Sequence, residues 1–313
     1  MSNTLLELSN AFASAVETAG KSTVLVNARR RMPSTGIAYA ADLVLTADHA
    51  IERDEDISVM LFDGSKISAK LAGRDPGKDL ALLRLDRPAA FPASPAPDAK
   101  IGQLALALGR PSPDGIEASL GVVSAVSGPL RTPRGLIERY LRTDTTMFPG
   151  FSGGPLVDAE GRVVGVNTSF GRGMPFSIPV GDAWKVAEQL DKHGSVRRGY
   201  LGIRSQVVEL SSAGQKALKR EQATGLLVMG IEADTPASRD GLIVGDILVG
   251  LNGHPVGDHD ELFARLTGEV VGMSTPIEIL RGGQPQVLQV VIGEALSVQT
   301  NRGGRHHGQG RGE

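Results

Sequence analysis

From Thr23 onward the apolar residues come in short, turn-bounded runs of strand length with no helix between them, and this limits the fold more than any other feature. Thr23-Val-Leu-Val26, Gly36-Ile-Ala-Tyr39 and Leu43-Val-Leu-Thr46 are three such runs. Ile57, Val59 and Leu61 alternate before an Asp63-Gly64 hairpin turn, and Leu80-Ala-Leu-Leu-Arg-Leu85 follows the turn-like Asp75-Pro-Gly-Lys78. The pattern resumes in Gln103-Leu-Ala-Leu-Ala-Leu108, Ala118-Ser-Leu-Gly-Val-Val-Ser124 and Arg162-Val-Val-Gly-Val-Asn167. Many short strands with many turns predict an antiparallel barrel or sandwich. A chain of 313 residues is too long for one ordinary core, so two or three domains are expected.

Helical spacing is confined to the flanks of this region. Thr4 and Glu7 form a capping-box pattern, and Leu5, Leu8, Phe12 and Val16 recur at helical intervals until Gly20. This predicts a short amphipathic helix that packs on the body or on a neighbouring subunit. Asp182 to Lys192, with Trp184, Ala187 and Leu190 on one face, predicts a helix that closes the strand-rich region, and His193 to Arg198 reads as a linker.

Tyr140-Leu-Arg-Thr-Asp-Thr-Thr-Met-Phe-Pro-Gly-Phe-Ser-Gly-Gly-Pro-Leu156 reads as a strand running into a glycine-rich turn with one serine at its tip. Glycines at 150, 153 and 154 permit backbone conformations closed to other residues, so peptide N–H groups can converge on whatever Ser152 attacks. Gly150 and Ser152 are the expected donors of such an oxyanion hole. Alone, the stretch is also an ordinary turn. His49, at the end of the run Leu43–Asp48, and Asp79, opening the run at Leu80, are individually a capping residue and a turn former. In the order His49, Asp79, Ser152 they match the chain order of the chymotrypsin-type triad and not those of the subtilisin or α/β-hydrolase types.

Three blocks closely resemble the catalytic segments of the HtrA family of trypsin-fold serine proteases. They are Leu45-Thr-Ala-Asp-His-Ala50, Gly73-Arg-Asp-Pro-Gly-Lys-Asp-Leu-Ala-Leu-Leu83 and Arg142–Leu156. The resemblance implies two six-stranded antiparallel β-barrels with the active site in the cleft between them, and trimeric or larger assembly through the N-terminal region. It makes Ser152 the nucleophile, His49 the general base and then acid, and Asp79 the group that orients the imidazolium. Gly173-Met-Pro-Phe-Ser-Ile-Pro179 resembles the segment that lines the primary specificity pocket and offers a strand edge to substrate, through Phe176, Ser177 and Ile178. No acidic residue lies in it, so a small or medium apolar residue is expected before the scissile bond. Three positions in two places depart from the family pattern: Asp48-His49-Ala50 replaces Asn-His-Val, and Phe151 replaces Asn before the serine. Phe151 cannot hydrogen-bond to hold the loop between the two expected donors.

Arg198-Gly-Tyr-Leu-Gly-Ile203, Thr224–Val228, Thr235–Leu242, Gly245–Gly253 and Ile277–Gly283 resemble, in order, the elements of an HtrA-type α+β PDZ domain. This implies a carboxylate-binding loop at Tyr200, Leu201, Gly202 and Ile203. The N–H groups of Leu201 and Gly202 would hold an apolar peptide C-terminus as it adds a strand to the sheet edge. Ligand there is expected to raise activity by ordering the loop around Phe151.

The expected organisation is an N-terminal helical segment (1–22), a protease domain (23–193), a PDZ domain (199–293) and a disordered Gly/Arg/His tail (294–313), in which His306 and His307 read as solvated. The expected function is an endopeptidase that cleaves unfolded or damaged proteins without cofactor or metal. The alternatives are a catalytically quiet PDZ adaptor, or a chaperone that binds unfolded chains. A net charge of -2 gives no reason to expect nucleic acid, and absence of cysteine excludes disulfides and thiolate metal sites. The first residues lack the basic start and apolar run of a secretory signal, and no segment is apolar over a bilayer's length, which predicts a cytoplasmic protein with no membrane span, an exported one being the alternative.

Overall fold

The computed structural model describes residues 4–132, 135–170, 174–196, 199–266 and 270–294. The tail from residue 295, with His306 and His307, lies outside them, as do Gly173 and the linker residues Arg197 and Arg198. The chain divides into two units, Met1–Val196 and Arg197–Glu313.

The first unit begins with helix α1 (Thr4–Gly20). Strands β1 (Thr23–Asn27), β2 (Ser34–Ala40), β3 (Leu43–Ala47), β4 (Ile57–Met60), β5 (Lys66–Asp75) and β6 (Leu80–Leu85) follow. They close into an antiparallel barrel in the order β1-β2-β3-β6-β5-β4. β7 (Leu104–Ser112) and β8 (Gly115–Ser127) lead through the small hairpin β9 (Leu130–Thr132) and β10 (Gly135–Ile137) to β11 (Tyr140–Thr143), β12 (Pro155–Val157), β13 (Val163–Phe170) and β14 (Met174–Pro179). Six of these form a second closed barrel, ordered β11-β14-β13-β12-β7-β8. The two six-stranded barrels are those the resemblance implied. Helix α2 (Val180–His193) ends at Gly194, which takes a left-handed conformation and donates to Leu190 O.

The apolar runs explain where the barrels meet. Along β6, Ala81 and Leu83 face the interior of the first barrel with Val24, Val26 and Val59. Leu80 and Leu82 join a separate core with Leu108, Val166, Ile178 and Leu190. Side chains alternate between faces of a strand, so an unbroken apolar run is what a strand covered on both faces requires. β3 is divided in the same way, with Val44 inward and Leu43 and Leu45 outward. Strands β3 and β6 are therefore clamped between the two barrels, and the ends of these strands carry His49 and Asp79.

Helix α1 is split along its length. Ala15 and Ala19 are buried and Phe12 and Val16 pack on the shared core, whereas Leu5, Leu6 and Leu8 are exposed. No helix among the described residues is long and apolar enough to cross a membrane.

The second unit contains β15 (Gly199–Tyr200), β16 (Ile203–Glu209), α3 (Ser212–Leu218), β17 (Thr224–Ile231), α4 (Pro236–Arg239), β18 (Ile247–Leu251), β19 (His254–Pro255), α5 (His259–Arg265), β20 (Ser274–Arg281), β21 (Gln284–Val291) and β22 (Gly293–Glu294). Its main sheet runs β16-β17-β18-β20-β21, leaving β16 at an edge, and encloses a core that includes Leu226, Leu248, Leu262 and Ile277. The buried carboxylate of Asp246 ties this sheet together, accepting from Arg281 Nε at 2.8 Å and Nη2 at 2.9 Å and from the Ile243 N–H at 3.0 Å.

Candidate active site

After β3 the chain makes a single 3-10 turn, Asp48–Ala50, that turns His49 toward Asp79. The Asp48 N–H donates to Asp79 O at 3.1 Å, and the His49 N–H donates to Asp79 Oδ1 at 2.9 Å. His49 Nδ1 lies 2.6 Å from Asp79 Oδ2, and the same oxygen accepts the Thr168 hydroxyl. The side chain of Asp79 is fully buried while that of His49 keeps 23% of its surface exposed, so the carboxylate is sheltered and the ring reaches solvent. Asp79 sits at φ 55°, a left-handed conformation in which aspartate is several-fold enriched among non-glycine residues.

The Asp48 departure has a partner. Its buried carboxylate lies 3.0 Å from Arg74 Nε, and the same guanidinium donates to Ile51 O at 3.3 Å. A charge at this position is neutralised in place, and the turn that carries His49 is tied to β5.

Ser152 is brought to this strand end by backbone contacts. The Thr35 N–H donates to Ser152 O at 3.3 Å. A Cβ at Gly153 would stand 2.3 Å from Thr35 O and from Thr46 Oγ1, and 2.8 Å from Ala47 N, two residues before His49. Only glycine allows that approach, and its φ of 84° adds a second reason. Among the described residues the Ser152 hydroxyl makes no hydrogen bond to His49; contacts of this kind often form or tighten only when substrate binds.

The peptide groups of the loop are allocated selectively. The N–H of Phe151 donates to Phe148 O at 3.1 Å, that of Gly153 to Asn167 O at 2.8 Å and that of Gly154 to Phe151 O at 2.9 Å. Thr35 Oγ1 donates to Gly150 O at 2.7 Å. The N–H groups of Gly150, at φ 90°, and of Ser152 donate to nothing among the described residues. Two unspent donors, one on the serine itself and one two residues before it, are the arrangement that stabilises a developing oxyanion.

The Phe151 side chain is itself seated by packing and not by hydrogen bonding. It is fully buried in the core of the second barrel, and its ring meets Phe148 edge to face at 5.4 Å.

Phe176, Ser177 and Ile178 are all buried in β14. Phe176 packs edge-on to Tyr140 at 5.7 Å, Ile178 lies in the core shared by the barrels, and Ser177 Oγ donates to Asn167 Oδ1 at 2.9 Å. β14 pairs with β13 throughout and with β11 at Ser177 alone. Sequence reasoning missed a second strand edge. Beyond Asn167, whose backbone bonds Gly153 and Gly154, Thr168–Phe170 of β13 pair with β14 on one side and with no other strand among the described residues. It also missed Thr35 and Thr168, two threonines among many, whose roles depend on contacts across 115 and 89 residues of sequence.

In the second unit, Leu201 is buried and its carbonyl accepts the Ala237 N–H at 2.9 Å. Gly202 has φ 79°, and a Cβ there would lie 2.3 Å from Thr235 Cβ. The N–H groups of Leu201 and Gly202 donate to nothing among the described residues, directly ahead of the edge strand that begins at Ile203. The Tyr200 hydroxyl donates to Glu232, and this bond, with some burial and the negative charge beside it, holds the phenol above its ordinary pKa. The arrangement suits a terminal carboxylate and a strand added along β16.

Comparison with known proteins agrees with both units. Residues 34–166 match a trypsin-like peptidase domain and residues 199–292 a PDZ domain. A probable periplasmic serine endoprotease, DegP-like, of Halomonas elongata is 34% identical over 88% of this chain, which spans 59% of that relative's length. The crystal structure of the serine endoprotease from Yersinia pestis is 31% identical with a TM-score of 0.72, over 91% of this chain and 98% of that one. An HtrA-type protease, AlgW, solved with a decapeptide, is 26% identical with a TM-score of 0.75 over the same shares of each chain. The periplasmic naming of the Halomonas relative contradicts the cytoplasmic placement expected from the first residues. That expectation rested on a feature not seen near Met1, and such an absence does not determine a compartment. Two closed barrels carrying this His, Asp and Ser arrangement, followed by a PDZ domain and matched along most of their length, show that the chain belongs to the HtrA family of trypsin-fold serine proteases.

Proposed function

We propose that this chain is a serine endopeptidase that cleaves unfolded or damaged proteins in an exported setting, as the names of its relatives suggest. The observation that carries the reading is the pair of unspent N–H groups at Gly150 and Ser152 beside the His49–Asp79 pair. Ser152 Oγ attacks the scissile carbonyl while His49 Nε2 takes its proton, and the oxyanion enters the hole between Gly150 and Ser152. His49 then protonates the leaving amine, and water releases the acyl group by the same route. Asp79 holds the ring through Nδ1 and stabilises its cationic form. The substrate lies extended along the open edge of Thr168–Phe170, with an apolar residue before the scissile bond near Phe176, Ser177 and Ile178.

The domains take the boundaries 1–22, 23–193, 199–293 and 294–313. Tyr200 to Ile203 bind an apolar peptide C-terminus. The chain assembles as a trimer or larger, a reading supported by the exposed Leu5, Leu6 and Leu8 of α1. The adaptor reading rested on a loop that Phe151 could not hold; burial of that side chain takes away its support.

The test is cleavage of an unfolded protein, with products mapped by mass spectrometry, by wild type and Ser152→Ala. Cleavage that persists in Ser152→Ala, or none by folded wild type with peptide ligand present, refutes the reading.

A further inference from the structure

We propose that Phe151 is a positioning residue that keeps the oxyanion loop formed without any ligand at the PDZ domain. The proposal rests on the reading of Ser152 as nucleophile, and it reverses the expectation that ligand is needed to order this loop.

Three observations carry it. First, Phe151 is 0% exposed and heads the largest fully buried side chains among the described residues, surrounded by Ala105, Ala107, Val123, Leu141, Leu156 and Val164. Second, its seat is made by the absence of a side chain. A Cβ at Gly109 would stand 2.2 Å from Phe151 Cδ1 and 2.5 Å from Cε1, so the ring lies directly against the backbone of β7. Third, the hydrogen bonds on either side agree with that seat. Thr35 clasps the carbonyls of Gly150 and Ser152, and Phe151 itself bonds through N–H to Phe148 O and through its carbonyl to the Gly154 N–H.

The two unspent donors belong to the residues immediately before and immediately after Phe151. The Ser152 N–H shares its peptide with Phe151 O, so turning it out of the hole while the ring stays seated breaks the bond from the Gly154 N–H, and the Gly150 N–H belongs to a residue whose own carbonyl Thr35 Oγ1 holds. Letting the whole loop move draws the ring out of the barrel, and the lost burial of a phenylalanine disfavours such a state by roughly 10- to 150-fold. An aromatic anchor thus does by packing what a polar side chain would do by hydrogen bonding.

The test uses the full chain and a fluorophosphonate, with which Ser152 Oγ displaces fluoride from phosphorus while the phosphoryl oxygen occupies the hole. Labelling rates are measured with and without a peptide bearing an apolar C-terminus, together with kcat and KM for a peptide substrate. Wild type is expected to label at the same rate in both conditions. Phe151→Ala and Gly109→Ala are expected to lower labelling and kcat by about 10- to 100-fold, below the effect of removing a donor outright, with KM little changed. Phe151→Leu, which still fills the seat, should recover most of what Phe151→Ala loses. A merely structural residue would not separate kcat from KM in this way. Wild-type labelling that appears only with peptide overturns the proposal and leaves the proteolytic reading standing. No labelling in either condition overturns both, and equal kcat in wild type and Phe151→Ala overturns the proposal alone. The wild-type comparison involves no substitution, so it decides the matter even if Phe151→Ala fails to fold.

Discussion

Replacing Thr168 by valine removes one hydroxyl from beneath the His49–Asp79 pair and leaves the outline of the side chain nearly unchanged. Asp79 is fully buried and accepts three hydrogen bonds, from the His49 N–H, from His49 Nδ1 and from the Thr168 hydroxyl. Thr168 is itself 1% exposed, so no solvent is at hand to replace the lost donor. A hydrogen bond to a charged group contributes about 1.5–3 kcal/mol, and valine introduces no compensating contact. For a unit of this size that corresponds to a fall in melting temperature of about 3–12 °C. On the proposed mechanism catalysis should suffer in addition, because there Asp79 holds the ring while His49 carries positive charge in the transition state. If half of the lost interaction is felt there, kcat falls about 3- to 12-fold, since each 1.36 kcal/mol is tenfold. KM should change little, because the backbone edge of β13 remains. Differential scanning calorimetry and steady-state hydrolysis of a peptide substrate measure the two effects. A variant that melts with wild type and keeps its kcat would refute the claim that this hydroxyl supports the carboxylate.

Three further outcomes are expected. Gly202→Ala meets both a positive φ and a contact at 2.3 Å with Thr235 Cβ, so it should abolish binding of a fluorescent peptide with a free apolar C-terminus, measured by anisotropy; affinity equal to wild type would show that the loop is not the carboxylate site. Asp246→Ala removes a buried acceptor of three bonds and leaves the Ile243 N–H unpaired while Arg281 keeps its bond to Gly241 O, so it should destabilise the PDZ unit by about 1–3 kcal/mol in urea unfolding, and a variant as stable as wild type would contradict the role given to this carboxylate. Tyr200, held protonated by its bond to Glu232, should titrate above the ordinary tyrosine range in ultraviolet absorbance, and Glu232→Gln should bring it back. The sign follows from the raised folded value: the bond contributes below the unfolded pKa and is lost as pH rises through the folded one.

The strand-rich architecture was legible because its signals are local. Period-two runs and Gly/Pro turns mark each strand, and a continuous apolar run such as Leu80-Ala-Leu-Leu83 already announces a strand covered on both faces. His49, Asp79 and Ser152 stood out by residue type, order and flanking turns. Thr35 and Thr168 did not, because nothing local distinguishes a threonine that clasps a loop 115 residues away, or one that donates to a carboxylate 89 residues upstream, from a threonine that fills a strand. Asp48 read as a departure for the same reason, since Arg74 neutralises it from another strand.

Phe151 draws the line between the two levels most sharply. Sequence alone determined that an aromatic residue stands between the expected oxyanion donors, that it cannot hydrogen-bond, and that glycines surround it, because these are properties of residue types and spacing. Only the tertiary structure decided whether such a residue loosens the loop or pins it. The answer depends on Gly109, forty-two positions earlier, leaving a space on β7 into which the ring fits, and on Thr35 of the other barrel closing on the carbonyls beside it. Burial is a property of what surrounds a side chain, and those surroundings exist only once the second barrel has closed.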